Sequence, residues 1–218
     1  MDNWDLDNTL WELLALSRLI QTNPISTIYA VRIVRDPEGT RIVPLAEDSK
    51  NRYNAFIYDP SGRYWLDTAD AQALAALWAN YRGSRLPERL SNALYWSESA
   101  ARSRDLGVRW TFASIAVEAL LNTGEGTVTR QIAQRLPDLA RDVGIVDMTE
   151  SMARDFYRRR SAIVHGDRPA FIRAEPDAQD LDRVERIVRA TLRRGIGEPE
   201  FGQVFEADST IRSRWARY

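Results

Sequence analysis

The fold is decided by residues 105–122, DLGVRWTFASIAVEALLN, which predict a helix with apolar side chains on most of its surface. The apolar residues of this stretch are Leu106, Val108, Trp110, Phe112, Ile115, Ala116, Ala119 and Leu120. A helix of this kind has to be covered by other elements before it is stable in water. We therefore expect it to lie at the centre of a helical bundle.

Amphipathic helical patterns on both sides of this stretch would cover it, and several of them are begun by a capping residue or Pro or are ended by Gly or Pro. They predict helices over residues 7–20, 69–81, 88–103, 127–136, 147–165 and 177–194, and a short docking helix near 211–215. In the first of these, the pattern assigns Glu12, Ser17 and Arg18 to the solvent face.

Residues 25–66 have a different pattern, with β-branched residues and two turn signals. Strands are predicted over residues 25–34 and 40–45 about the first turn, and over residues 53–58 and 63–66 about the second. They would form two short hairpins or a small antiparallel meander. Aromatic residues alternate with Arg along these strands, which fits either a half-buried sheet, the favoured interpretation, or a surface for single-stranded RNA.

The charge balance changes near residue 84. Residues 1–84 carry 8 basic and 11 acidic residues, whereas residues 85–218 carry 22 and 20. We therefore expect two regions, an α+β region at 1–84 with short antiparallel strands and a helical bundle at 85–218. The predicted fold class is mainly α.

The composition excludes several classes of site. The 218 residues include no Cys, one His and one Lys, and the formal net charge is −1. A disulfide, a thiol nucleophile and a zinc site made of Cys and His are therefore excluded, and Lys50 does not follow the Gly-rich loop of a nucleotide-binding P-loop. We expect no metal or cofactor. The acidic N-terminus is unlike a signal peptide, and no apolar run approaches the ~20 residues of a membrane span, so a cytoplasmic protein is expected.

The one histidine, His165, follows three consecutive arginines in a helix that Gly166 ends. Histidine is the side chain best suited to exchange protons near neutral pH. Arg158 and Arg159 offer guanidinium groups that bind phosphate, and Arg160 falls on the apolar face of the helix, where a charge has to be paired or used. The alternative is that His165 only caps its helix, because an Arg at this spacing often occurs by chance in an Arg-rich chain.

The stretch Arg-Ser-Ala-Ile-Val-His-Gly at residues 160–166 resembles the signature of HEPN domains (higher eukaryotes and prokaryotes nucleotide-binding), and especially its ApeA-like branch. Other stretches resemble family helices in the same order: Arg104-Asp105 followed by residues 117–121, then residues 129–136, then residues 177–194. The resemblance covers about residues 85–195.

The resemblance implies a helical bundle that forms a homodimer in which two Arg/His pairs face one cleft. It also implies a metal-independent endoribonuclease of phage defence or of a toxin–antitoxin system, with single-stranded RNA as substrate. Arg160 and His165 would be the catalytic pair, with Glu118 and Asp105 orienting the arginines. Ser161 stands where many active members have Asn, Asp or His.

The implied chemistry needs no metal-bound water, because the 2′-hydroxyl of RNA is a nucleophile already held near the phosphorus. His165 would move protons and Arg160 would stabilise the charged phosphorane. Five residues along an ideal helix are about 140° of rotation, so the two side chains do not share a face. A long Arg, an unwound helix end or a second protomer has to close the gap.

Two other functions remain open at this point. The chain could be a catalytically weak HEPN module that binds RNA or a protein partner, such as an antitoxin or a component of a defence system. It could also be a toxin subunit that a partner nucleotidyltransferase modifies at Ser161, Tyr157 or a nearby hydroxyl.

Overall fold

The computed structural model describes residues 3–21, 30–36, 39–46, 66–103, 105–166 and 175–215. Its helices and strands follow in this order: α1 (Asn3–Ile20), β1 (Ala30–Asp36), β2 (Gly39–Ala46), α2 (Thr68–Gly83), α3 (Glu88–Ala101), α4 (Leu106–Leu121), α5 (Val128–Asp142), α6 (Glu150–Val164), α7 (Glu175–Gly197), α8 (Pro199–Gly202), a 3₁₀ turn (Gln203–Phe205) and α9 (Asp208–Trp215). The mainly α fold and each helix expected from the pattern are therefore confirmed.

Helix α4 is central, as its apolar pattern predicts. Helices α3, α5, α6 and α7 all contact it. Trp110 and Leu121 are fully buried, and the Trp110 indole is stacked on the Phe156 ring of α6 at 5.1 Å between centroids. The indole Nε1 donates a hydrogen bond to the Phe156 carbonyl oxygen at 3.1 Å. This contact fixes α6 against α4.

The prediction of an N-terminal α+β region is wrong. The part of residues 1–84 that packs on the bundle is helical, because α1 and α2 contact α7 and contribute Leu16 and Leu77 to the common core. Strand structure in the described residues is limited to the antiparallel pair β1–β2, in which Ile33 lies opposite Ile42. A two-stranded ribbon has too little surface to form a core of its own, so the helices supply the packing. The strands expected at 53–58 and 63–66 lie outside the described residues.

Helix α1 also corrects the assignment of two of its side chains to solvent. Ser17 and Arg18 are buried, and Arg18 forms an ion pair with the buried Glu98 of α3. The exposed face predicted for α1 is therefore partly an interface with α3. The boundary expected near residue 84 stays a prediction.

Among the described helices, none is both long enough and apolar enough to cross a membrane.

Candidate functional site

Local sequence signals set both ends of α6. The hydroxyl of Thr149 accepts a hydrogen bond from the Met152 backbone N–H at 3.3 Å and caps the first turn. Gly166 adopts φ +80°, a left-handed conformation that favours glycine and ends the helix. His165 is the C-cap residue directly before Gly166 and is exposed. The sequence predicted this placement of His165.

Arg160 is directed toward α4, where it meets Glu118. Its Nη2 atom lies 3.3 Å from Glu118 Oε1, and the two side chains are 23% and 22% exposed. The Nε atom of Arg160 is buried and has no hydrogen-bond partner among the described residues. A charged group on the apolar face of α6 is thus paired, as the sequence required, but one of its donors remains unused.

Tyr157 completes this group of three side chains, which we call the α4–α6 triad: Glu118, Tyr157 and Arg160. The Tyr157 hydroxyl donates to the same Glu118 Oε1 atom at 2.9 Å, and the Arg160 guanidinium lies 5.6 Å from the centre of the Tyr157 ring. Burial, together with the hydrogen bond and the charge of Glu118, raises the pKa of Tyr157 to about 12. The phenol is therefore neutral and acts as a donor that holds the carboxylate.

Sequence reasoning considered Tyr157 only as a hydroxyl open to modification and missed its positioning role. The signal was present, because Tyr157 and Arg160 are three residues apart and so lie on the same face of α6. If Arg160 faces Glu118, then Tyr157 on the same face of α6 is expected to reach Glu118 as well. In the structure the Tyr157 residue is only 7% exposed.

The two arginines before Arg160 have separate environments. Arg159 forms an ion pair with Asp177 of α7, and its guanidinium lies 5.1 Å from the centre of the Trp110 ring. Arg158 is exposed and forms no ion pair with a described residue. Both line a groove of about 510 Å³ at the side of α6 that faces α7. Of the two predicted phosphate-binding arginines, Arg158 is therefore the one with a guanidinium not already paired.

Asp105 does not approach the triad. It is the N-cap of α4, and its carboxylate accepts a hydrogen bond from the Val108 backbone N–H at 2.9 Å. Glu118 lies 13 residues further along the same helix, which is about 20 Å. The structure therefore assigns Asp105 to capping, and Glu118 alone to orienting Arg160.

The side chains of His165 and Ser161 form no hydrogen bond or ion pair with the triad. The Ser161 carbonyl oxygen accepts the His165 backbone N–H at 2.9 Å, which closes the last turn of α6. The His165 imidazole forms no hydrogen bond or ion pair with any described side chain. Within one chain, Arg160 is thus held at the α4–α6 contact while His165 remains at the exposed end of the helix.

A polar cleft of about 600 Å³ borders Glu118 on the side of α3 and the 3₁₀ turn. Trp96 and Asn92 of α3 line it, and so does Arg89. The Arg89 guanidinium is already used, because it donates to the backbone oxygens of Ala119 and Asn122 at 2.9 and 2.8 Å. Glu118 therefore lies between Arg160 and this cleft, and the guanidinium of Arg89 in the cleft is already hydrogen-bonded to the backbone.

This arrangement can bind an anion through Arg160 and can exchange a proton at His165. Across the described residues there is no group of three or more His, Asp or Glu side chains placed to hold a metal ion. Comparisons with models of protein families, with curated proteins and with solved structures gave no match for this chain.

Proposed function

We propose that this protein is a metal-independent endoribonuclease of the HEPN type that cleaves single-stranded RNA. The observation that carries the proposal is the half-buried Arg160, which is held by Glu118 yet retains an unused donor, on the helix that ends in the only His of the chain. A guanidinium and an imidazole are the two groups that a reaction using the RNA 2′-hydroxyl as nucleophile needs.

Arg160 is suited to exchange the carboxylate of Glu118 for the phosphate of a substrate. Charge-assisted N–H···O bonds are ordinarily 2.7–2.9 Å long, whereas this contact is 3.3 Å. Its carboxylate oxygen also accepts the shorter hydrogen bond from Tyr157. A phosphate oxygen could therefore replace Glu118 at Nη2 of Arg160, while Glu118 remains held by Tyr157.

A second protomer is part of the proposal, because Arg160 and His165 are about 140° apart around α6 and no hydrogen bond joins them within one chain. A two-fold contact near the end of α6 would place the exposed His165 of one protomer beside the Arg160 of the other. Arg158, exposed on the same helix, would then add positive charge for the RNA backbone. We therefore propose a cytoplasmic homodimer that acts in phage defence or with an antitoxin partner.

The alternative is a module of the same type that binds RNA or a protein without cleaving it. It is favoured by His165, whose imidazole no described side chain orients. Modification by a nucleotidyltransferase is disfavoured at Tyr157, because that hydroxyl is buried and bonded to Glu118.

The test uses purified protein and a labelled single-stranded RNA, with and without EDTA. We expect cleavage in both conditions, products with a 2′,3′-cyclic phosphate and a 5′-hydroxyl, and no cleavage of DNA, which lacks the 2′-hydroxyl. His165→Ala and Arg160→Ala should each lower the rate by at least about 10²-fold. Arg154→Ala is the matched control, because Arg154 is an exposed arginine on the same helix, paired with Glu150.

Each alternative gives a different result. Full activity in a folded His165→Ala variant would overturn the nuclease proposal. RNA that is bound but remains intact with every variant would favour the binding module. A rate per chain that falls on dilution, beside a dimer mass from light scattering, would support the composite site.

A further inference from the structure

Another groove, separate from the two described beside α6 and Glu118, lies between α1, α2 and α7, and α6 does not line it. Its volume is about 670 Å³, within the range of small-molecule sites. Two of its walls come from α1 and α2 and are apolar, and the third is the C-terminal half of α7. The apolar walls consist of Leu19, Ile20, Ala73, Ala76 and Leu77, and the α7 wall includes Arg186, Arg189, Arg193 and Arg194.

The arginines form a row along α7. Arg186, Arg189 and Arg193 are spaced by three and four residues, so they share one face of the helix and follow one another at about one turn, or ~5 Å. The groove holds four arginines against two acids, Asp142 and Glu198. It is therefore basic, although the formal net charge of the chain is −1.

Two of the four guanidiniums already have close partners. Arg194 Nε lies 2.8 Å from Glu198 Oε2, and Arg186 Nε lies 3.1 Å from Asp182 Oδ2. These two side chains contribute positive charge to the groove, but their Nε donors already contact carboxylates.

Arg189 and Arg193 are different. The nearest carboxylate to Arg189 is Glu185, at 3.9 Å. Glu185 is already bound by Arg109, which donates to both carboxylate oxygens. Arg193 is exposed and forms no hydrogen bond or ion pair with the described part of the chain. Two guanidiniums one turn apart thus line an apolar-walled groove with donors to spare.

The Arg189 side chain is only 15% exposed, which makes its charge costly. Burial lowers the pKa of Arg189, because Glu185 and Asp182 compensate only part of the lost hydration, and Arg109 and Arg186 oppose the charge as well. An anion placed in the groove would supply the missing negative charge at this point.

We propose that this groove binds a small organic phosphate of nucleotide size, with the phosphate between Arg189 and Arg193 and the apolar body against the walls from α1 and α2. Guanidiniums bind phosphate through paired, charge-assisted hydrogen bonds. The apolar walls would cover a ring that inorganic phosphate lacks. Asn80 lines the same groove and offers a side-chain amide for the polar edge of such a ring, since its hydrogen bond to the Gly197 carbonyl is 3.4 Å long.

A phosphate joined to a nucleoside could reach the groove in two forms, as a free nucleotide or as the phosphorylated end of an RNA strand. The test therefore compares AMP, adenosine, inorganic phosphate and a short 5′-phosphorylated oligoribonucleotide by titration calorimetry. We expect AMP to bind the full-length protein at least about tenfold more tightly than adenosine or inorganic phosphate, since each of these lacks half of the contacts. Competition by the oligoribonucleotide would identify the strand end as a second source for the same groove.

Two variants locate the site. Arg193→Glu reverses the charge of the unpaired arginine, and Ala76→Trp fills the groove while every arginine stays in place. Both should weaken AMP binding at least about tenfold. Arg130→Glu on α5 is the matched control, because Arg130 is also exposed and does not line the groove; it should bind AMP like the unaltered protein.

Failure of AMP to bind, or AMP binding that both Arg193→Glu and Ala76→Trp leave unchanged in folded protein, would overturn the proposal. So would inorganic phosphate that binds as tightly as AMP, because the apolar walls would then contribute nothing. None of these results depends on RNA cleavage, so the two proposals can fail separately.

Discussion

Replacement of Tyr157 by Phe should change how the stability of the protein depends on alkaline pH. The folded protein keeps the Tyr157 phenol protonated, because burial and the bond to Glu118 raise its pKa to about 12. In the unfolded chain a tyrosine ionises near pH 10. The stabilisation from this shift is therefore fully present below about pH 10 and is lost as the pH rises through about 12.

The size of the effect follows from the difference in pKa. One pKa unit corresponds to about 1.4 kcal/mol, so a difference of two units is worth at most about 3 kcal/mol. By about pH 11.5 the loss in the free energy of unfolding from Tyr157 alone should reach about 2 kcal/mol. Tyr157→Phe has no proton to lose at this position, and at neutral pH it should cost only about 1 kcal/mol for the lost hydrogen bond to Glu118.

Urea unfolding at about pH 9 and about pH 11.5, followed by circular dichroism, measures this difference. The unaltered protein should lose about 2 kcal/mol more between the two pH values than Tyr157→Phe does. Tyr81 provides an internal comparison, because burial and its hydrogen bond to Glu12 also raise its pKa to about 12. Tyr81→Phe should remove a separate part of the dependence. An equal loss in Tyr157→Phe and in the unaltered protein would refute the triad geometry.

Three single substitutions and one double variant test the packing by urea unfolding at neutral pH. Arg18→Met should cost about 3–5 kcal/mol, because it leaves the Glu98 carboxyl buried without its main partner, and adding Glu98→Leu should restore most of the loss; an additive double variant would contradict the buried pair. Trp110→Ala should cost about 3–5 kcal/mol, since it removes a fully buried indole and its bond to the Phe156 carbonyl. Gly166→Ala should cost about 1 kcal/mol at φ +80°, and an unchanged midpoint would argue against that conformation.

Much of the helical architecture could be predicted from periodicity and caps. The pattern at residues 105–122 identified α4 as central, and the expected helix at 177–194 is observed as Glu175–Gly197. The N-terminal part could not be predicted in the same way. Periodicity states which face of a helix is buried but not what covers it, so nothing in α1 alone showed that Arg18 would meet Glu98, eighty residues away.

The α4–α6 triad was predictable in part. The apolar position of Arg160 required a partner for its charge, and the resemblance supplied Glu118, which is where the structure places the carboxylate. The resemblance also suggested Asp105, but an Asp directly before a helix is a preferred N-cap, and that local role accounts for its observed hydrogen bond. Within one chain no hydrogen bond joins the described side chains of Arg160 and His165, and the contact between chains that would pair them is part of the proposed function.

The run Arg158-Arg159-Arg160 shows most directly which part of the site cannot be predicted from the sequence. Consecutive residues on a helix point about 100° apart, so three adjacent guanidiniums need not form one patch. Here Arg158 is exposed, Arg159 meets Asp177 of α7, and Arg160 meets Glu118 of α4. Each direction depends on which carboxylate a distant helix presents, and the sequence of α6 does not contain that information. In the proposed nuclease, phosphate would meet Arg160 and Arg158 on two different faces of α6, and a substrate that reaches both would pass the end of the helix where His165 lies.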